Sequence, residues 1–257
     1  MAFGSKEKKN RSPVEGPLRR LPGQSIREER ERLFDDKVVG YLLAPLVAWL
    51  LALWLWVFIW TGSKPNPEIY TLVAILVTFY CVYRIWRVRG DFRNLNLAEK
   101  GERRVSEVLR RLRDLDYVTF DDLLLGGVNV DHVVVGPGGI FAIETKALSV
   151  FGSSVACIGS DGVLQLSGKP AFKDPLKQAR GSAALVSEEL KRWTQRGLWV
   201  HPVLVLPGWR IDPPKSETKV FVLTEETIPE FFRSRDRVLA NEQIRDICSH
   251  LDRSARS

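Results

Sequence analysis

The stretch "VDHVVVGPGGIFAIETK", residues 130–146, has two runs of β-branched and aromatic residues separated by Gly-Pro-Gly-Gly. This pattern predicts two strands joined by a tight turn. The runs are apolar, as a buried sheet requires. Yet the first run begins with Asp131, and the second ends with Glu144 and Lys146. The predicted hairpin therefore carries three charged residues at its open end, and these need an explanation.

The turn fixes which of these residues face each other. If Gly136 pairs with Gly139, antiparallel pairing places Asp131 opposite Glu144, with Cβ atoms about 4.5–5.5 Å apart. Alternation along the strand puts Lys146 on the same face. Two carboxylates this close repel unless a positive charge lies between them. Lys146 alone supplies that charge in a simple salt bridge, or a divalent metal does. The spacing favours neither interpretation.

The flanking sequence predicts an α/β domain with a mixed central sheet. A helix precedes the hairpin, with apolar residues at helical spacing: Val105, Val108, Leu109 and Leu112. Glu102 lies on its inward face, where it either belongs to a site or only favours the helix dipole. After the hairpin we expect a second hairpin, a helix over residues 173–193, two strands and two closing helices. This order is typical of a sheet flanked by helices.

Composition and charge narrow the function classes. Of 257 residues, 45% are hydrophobic and 27% are charged, which is typical of a folded protein. Residues 1–90 hold 14 Lys and Arg against 8 Asp and Glu, whereas residues 91–257 hold 24 against 23. The basic excess therefore lies outside the predicted domain and says little about nucleic-acid binding. The 3 cysteines are far apart and indicate neither a disulfide framework nor a zinc site.

Two apolar runs explain where the basic excess lies. Residues 38–60 contain no charge, and a membrane span needs only about 20 residues. Residues 69–88 form a second span if Arg84 and Arg87 extend to the interface. The alternative for the first run is a buried helix of a soluble protein. Basic residues flank both runs, which predicts both termini in the cytoplasm. Residues 1–37 are expected to be a disordered basic tail, and residues 91–257 a cytoplasmic domain.

Three motifs carry a resemblance to a known family. The segments "KGERRVSEVLRRL" (100–112), "VDHVVVGPGGIFAIETKA" (130–147) and "DPLKQAR" (174–180) occur in this order. Together they resemble the nuclease-related domain, NERD, of the PD-(D/E)xK nuclease superfamily. The resemblance implies a restriction-endonuclease-like fold preceded here by two transmembrane helices. It also implies a membrane-anchored nuclease that uses Mg²⁺, or Mn²⁺, to hydrolyse DNA, with RNA as the second choice of substrate.

The resemblance assigns roles to five positions. Asp131 and Glu144 match the metal-binding acids, and Lys146 matches the lysine that orients the attacking water or stabilises the transition state. Glu102 resembles the helical glutamate that completes the metal site, and Gln178 resembles the helical glutamine after the sheet. Val130 stands where the superfamily pattern has proline. His132 fits the NERD pattern without an assigned role, and core packing explains it equally well.

Partners follow from the same resemblance. Four basic residues near the Gln178 helix are candidates for phosphate contacts: Lys169, Lys173, Lys177 and Arg180. An ordinary solvated helix face is the alternative. Cutting both strands of a duplex would favour a dimer. Two other functions remain open: a catalytically inactive module that binds nucleic acid or protein at the membrane, and a membrane scaffold.

Overall fold

The computed structural model describes residues 21–60, 67–149, 154–171 and 173–254, and the bounds below refer to these residues. The helices are α1 (Gln24–Phe34), α2 (Gly40–Trp60), α3 (Pro67–Arg110), α4 (Pro175–Thr194), α5 (Ile228–Arg233) and α6 (Asn241–Ser254). The strands are β1 (Val118–Leu125), β2 (Val128–Gly136), β3 (Gly139–Thr145), β4 (Val155–Ile158), β5 (Leu164–Leu166), β6 (Lys169–Pro170), β7 (Val200–Val205), β8 (Arg210–Ile211) and β9 (Phe221–Leu223).

The predicted hairpin lies at the centre of a five-stranded mixed sheet. The strand order is β1-β2-β3-β7-β9. The β1–β2 and β2–β3 pairs are antiparallel, whereas the β3–β7 and β7–β9 pairs are parallel. Gly136 pairs with Gly139, and the same register runs back to His132 opposite Ile143, which confirms the predicted pairing. Gly139 has φ +121°, a conformation that glycine adopts without strain.

Helices cover both faces of this sheet, as the α/β pattern predicted. On one face, α4 and α6 pack on the side chains of Val133, Val135 and Ala142. On the other face, α3 and α5 pack on Val134, Phe141 and Ile143. Alternate residues of β2 and β3 thus enter two different cores, which is why both runs are apolar throughout.

A second sheet extends the fold beyond the single sheet expected. Its order is β6-β5-β4-β8, and it packs with the start of α4 around Leu164, Leu176 and Trp209. The β4–β5 pair is the second hairpin predicted from sequence. The first turn of α4 is therefore packed against the core that this second sheet forms. Asp174 begins that helix by accepting a hydrogen bond from the Lys177 N–H at 3.1 Å.

The two apolar runs form an antiparallel pair of helices, α2 and the first half of α3. Trp49 Nε1 donates to Thr78 Oγ1, and Trp56 Nε1 donates to Thr71 Oγ1, both at 3.1 Å. Each helix is long and apolar enough to cross a membrane. Most of their large apolar side chains are exposed, for example Phe79 at 71%. An isolated protein in water rarely leaves so wide an apolar surface uncovered.

The structure differs from the predicted domain layout in two places. Residues 24–34 of the predicted disordered tail form α1, which buries Ile26 and continues through a π-helical turn, Asp35–Val39, towards α2. Composition alone missed this helix because its contacts are with distant parts of the chain. The predicted junction between residues 88 and 91 falls inside α3, which runs without interruption from the apolar pair into the domain. Residues 1–20 lie outside the described part.

Candidate active site

Asp131 and Glu144 meet at the open end of the β2–β3 hairpin. The observed register, extended by one pair beyond His132 and Ile143, places them opposite each other. Asp131 Oδ2 accepts a hydrogen bond from the backbone N–H of Thr145 at 2.8 Å. Both carboxyls point to the α4 side of the sheet, because they alternate with residues on the α3 side. The strand pairing itself therefore holds two acids next to each other.

Glu144 is held by a residue from each of two elements. Lys146 Nζ lies 3.3 Å from Glu144 Oε1. Ser182 Oγ, from α4, donates to Glu144 Oε2 at 3.1 Å. The Glu144 side chain is 11% exposed, whereas the Lys146 side chain is 32% exposed. The lysine is thus the more accessible member of the pair and can turn towards a bound anion.

Glu102 enters the site from α3 because this helix approaches the end of β3 closely. Gly101 permits the approach, since a Cβ at this position would overlap the Cβ of Ala147. Glu102 is 5% exposed, and its Oε2 has no hydrogen-bond partner among the described residues. A buried carboxyl oxygen without a partner is costly unless the group is protonated or meets a cation.

Burial, and then mutual repulsion, shift the pKa values of two of these acids upward. Burial, then the charges of Asp122 and Glu144, raise the pKa of Glu102 to about 8. Burial, then the charges of Glu144 and Glu102, raise the pKa of Asp131 well above its usual range. The site therefore lacks positive charge for its acids, although Lys146 is present. A cation bound among these carboxyls would lower these pKa values again.

Asp122 is an acid of this site that the sequence did not indicate. The β1–β2 pairs on either side, Asp121 with His132 and Leu123 with Val130, place it opposite Asp131. It is 1% exposed and has φ +52°, which is uncommon for a residue other than glycine. The "DD" of "YVTFDDLLL" was visible, but only the strand pairing tells which of its two acids enters the site.

Gln178 lies on the face of α4 that meets Glu144, and the candidate basic residues lie on or before the first turns of this helix. Gln178 is exposed and precedes Ser182 by four residues, so both lie on one face of α4. All four basic residues proposed for phosphate contacts are exposed: Lys169, Lys173, Lys177 and Arg180. Arg180 lies 3.8 Å from Asp174. No hydrogen bond of the described residues ties the Gln178 side chain to the acids.

His132 belongs to a separate polar cluster on the opposite face of β2. Its Nδ1 lies 2.8 Å from Asp121 Oδ1, and its ring is fully buried. Ser106 Oγ donates to Asp121 Oδ2 at 3.0 Å, and Arg110 approaches the same oxygen at 3.4 Å. The histidine therefore lies among core residues, directed away from Asp131 and Glu144.

Within the described residues, no three His, Cys, Asp or Glu side chains lie close enough together to form a ready metal site. The four acids above are neighbours but are not gathered around one point. Two of them, with water and a phosphate oxygen, form the kind of ligand set that Mg²⁺ usually takes in proteins. The donor chemistry therefore fits a hard divalent cation at Asp131 and Glu144.

A mixed sheet flanked by helices, with acids and a lysine at the open end of a central hairpin, defines a restriction-endonuclease-like domain. Residues 97–207 match the family model NERD, the nuclease-related domain. This match covers most of the domain that follows the two apolar helices. A search among curated proteins gave no match. A search among solved structures gave none either.

Proposed function

We propose that this protein is a membrane-anchored nuclease that hydrolyses phosphodiester bonds in nucleic acid with the help of Mg²⁺ or Mn²⁺. The observation that carries the proposal is the convergence of Asp131, Glu144 and Lys146 at one end of the hairpin, with Glu102 next to them. The match to the nuclease-related domain supports the same reaction class. DNA is our first choice of substrate and RNA our second.

The cation would lie between Asp131 and Glu144, with Glu102 as a further ligand, directly or through water. The raised pKa values of Asp131 and Glu102 support this placement, because both acids lack a compensating positive charge. The unpartnered Oε2 of Glu102 supports it independently. When bound, such a cation neutralises charge on the phosphate and activates water for attack.

The protein's own groups orient these acids and balance the charge of the substrate. The Thr145 N–H fixes one oxygen of Asp131, and the Ser182 hydroxyl fixes one oxygen of Glu144. Lys146 would leave Glu144 for the phosphate and stabilise the negative charge that develops there. Glu102, with its pKa near 8, holds a proton at neutral pH and can exchange it with water.

The exposed start of α4 is our candidate for the nucleic-acid path. Its basic residues precede Ser182, whose hydroxyl contacts Glu144, so a strand bound along them would lead to the acids. Lys169, Lys173 and Lys177 would contact successive phosphates, and Gln178 would orient the phosphate nearest to the acids. These contacts position the strand without reading its sequence, which favours a nuclease of low sequence specificity.

We further propose that α2 and the first half of α3 span the membrane, with both termini and the domain in the cytoplasm. Their exposed apolar surface would be covered by lipid. The hydrogen bonds between them, such as Trp49 with Thr78, are of the kind that links membrane helices. Basic residues at the far end of the pair, including Arg84 and Arg87, support a cytoplasmic location by the positive-inside rule.

A second function is a binding module that holds nucleic acid or a protein at the membrane without cutting it. One observation favours it. Within the described part of the chain the acids do not form a ready three-ligand metal site, and Glu102 is largely protonated at pH 7 without a cation. In that case the basic residues near α4 would bind nucleic acid, and salt would weaken this binding steeply.

A cleavage assay with the full chain in detergent or lipid nanodiscs tests the proposal. Labelled single- and double-stranded DNA and RNA are incubated with Mg²⁺, Mn²⁺ or chelator, with Glu144→Ala in parallel. We expect cation-dependent cleavage that the substitution abolishes. Salt-sensitive binding without cleavage would support the binding module. Neither binding nor cleavage would contradict both and favour a scaffold with a protein partner.

A further inference from the structure

The segment before the first apolar helix lies against the candidate active site. We call residues 21–30 the pre-span segment. Ser25 donates two hydrogen bonds to Asp122, from its N–H to Oδ2 at 3.1 Å and from its Oγ to Oδ1 at 2.6 Å. Asn129, at the start of β2, donates to Ser25 Oγ at 3.1 Å. A serine that precedes the apolar helices in the chain thus contacts both oxygens of a buried acid that follows them.

Asp122 needs such support because of where it lies. Its carboxyl is almost completely buried, its backbone has a positive φ, and its register places it opposite Asp131. Burying a carboxylate next to other acids is unfavourable unless donors compensate for the lost water. Ser25 supplies two donors. The charge of Asp122 also acts on Glu102, where it is the largest cause of the raised pKa after burial.

The same segment also contacts Glu102 itself. The backbone of Gly23 lies next to the Glu102 carboxyl and lowers its pKa against the other effects. Gly23 is buried with φ +69°, so its conformation suits glycine. Arg27 and Arg30 then fasten the segment to Glu99, at 3.5 Å and 2.9 Å. The pre-span segment thus contacts Asp122 of β1 and two glutamates of α3, Glu99 and Glu102.

We propose that the pre-span segment completes the active site, with Ser25 as the positioning residue that holds Asp122 and keeps Gly23 against Glu102. This inference rests on the proposed nuclease function. Its consequence is that the site is assembled from both ends of the apolar helix pair. A soluble piece that begins after α2 would therefore contain every acid of the site and still lack the residues that orient two of them.

The test compares three variants of the full chain in nanodiscs. Ser25→Ala removes the hydroxyl, Ser25→Thr keeps it, and Ser187→Ala removes a similar hydroxyl bond, to Leu198 O at 2.8 Å, away from the site. We expect Ser25→Ala to lower kcat about 10-fold or more with little change in KM for the nucleic acid, as loss of an orienting contact does. Ser25→Thr should restore kcat to within about threefold of wild type. Ser187→Ala should leave it unchanged.

Two readouts do not depend on cleavage. Ca²⁺ affinity, measured by calorimetry, should fall about 10-fold in Ser25→Ala and should be restored in Ser25→Thr. Amide hydrogen exchange over residues 119–125 should become faster in Ser25→Ala only. These readouts separate the inference from the nuclease proposal, since they remain measurable if the wild type cuts nothing.

Each outcome decides either the inference about Ser25 or the proposed nuclease function. A wild type that cleaves, with Ser25→Ala equal to it in kcat and Ca²⁺ affinity, overturns the inference and leaves the nuclease intact. A faster Ser25→Ala enzyme also overturns it, because the segment would then be a cover over the site. A wild type that never cleaves overturns the proposed function. In that case, unchanged exchange over residues 119–125 in Ser25→Ala overturns the inference as well, whereas faster exchange supports it.

Discussion

Asp131 and His132 are neighbours in β2, yet they lie in opposite electrostatic environments on opposite faces of one sheet. On the α4 face, Asp131 meets Glu144 and Glu102, and burial with these charges raises its pKa well above the usual range. On the α3 face, burial alone would raise the pKa of Asp121. The hydrogen bond and charge of His132 outweigh burial, so that the pKa of Asp121 is lowered.

The difference separates a structural cluster from a candidate functional one. Asp121 is ionised and accepts bonds from Ser106 and from the Nδ1–H of His132, so the α3 face has its charges balanced by the protein itself. The α4 face has acids that the protein does not balance. Unbalanced buried acids cost folding free energy and are typical of sites that bind a ligand of opposite charge.

Asp131→Asn should have the largest effect on the α4 face. We expect kcat/KM for cleavage to fall by at least about 100-fold, since a cation ligand is lost. The thermal midpoint of the metal-free protein should rise, because one of the repelling charges is removed. Both are measured on the full chain, with chelator for the melting curve. Unchanged cleavage with a lower midpoint would mean that the acid pair is structural.

Glu102→Gln should change how stability depends on pH. In the folded metal-free protein Glu102 keeps its proton up to about pH 8, whereas in the unfolded chain it loses the proton near 4.5. Its contribution to stability is thus complete below pH 4.5 and is lost as pH rises to about 8. We expect wild type to lose about 3 kcal/mol more than Glu102→Gln between pH 5 and pH 8.

Thermal melts with chelator across this pH range measure the effect. Glu107→Gln is the matched control, because the Glu107 side chain is 61% exposed on the same helix. Parallel stability curves for Glu102→Gln and wild type would contradict the raised pKa. Mg²⁺ should reduce the loss at high pH, since it binds the ionised form.

Asp121→Ala should affect the α3 face of the sheet and leave the acids of the α4 face unchanged. It removes the partner of the buried His132 Nδ1, and we expect a loss of about 2–3 kcal/mol in unfolding free energy. Cleavage per folded molecule should stay within about threefold of wild type, because the cluster does not contact the acids. Asp114→Ala, on the exposed turn after α3, is the control. A folded Asp121→Ala protein without activity would place this cluster in the reaction.

Lys146→Ala should show what the lysine contributes on the α4 face. We expect kcat to fall about 10- to 30-fold, because a charge near the developing negative oxygens is lost. Ca²⁺ affinity should change by less than about threefold, since Lys146 is not a ligand. Lys191→Ala, an exposed lysine farther along α4, is the control for net charge. Equal cleavage by Lys146→Ala and wild type would remove its catalytic role.

The sequence predicted the part of the site that local rules determine. The Gly-rich turn and the period of two were sufficient to pair Asp131 with Glu144 and to place Lys146 beside them. The helical period placed Glu102 inward. The residues that were missed act across long separations in the chain. Ser25 and Asp122 are 97 positions apart, and Ser182 and Glu144 are 38 apart. No local pattern indicates such contacts, and none indicates that Asp121 turns to His132.

The fold was predicted to a similar extent. The α/β order and the central mixed sheet followed from periodicity, whereas the second sheet is built from strands of two to four residues that give little signal. The helix α1 was missed for another reason. Its sequence is rich in charge. The helix is held by salt bridges from Arg27 and Arg30 to Glu99, and only the folded chain brings these residues together.

Because α3 is unbroken, it fixes the distance between the apolar helix pair and the candidate active site. From Val88, near the end of the second apolar run, to Glu102 the helix rises about 21 Å. With the apolar pair in a bilayer, the site would lie at a fixed height above the lipid. Its orientation about the axis of α3 would be fixed as well. Only nucleic acid drawn to within a few nanometres of the membrane would reach it. One residue inserted near Gly90 would turn the domain by about 100° relative to the span.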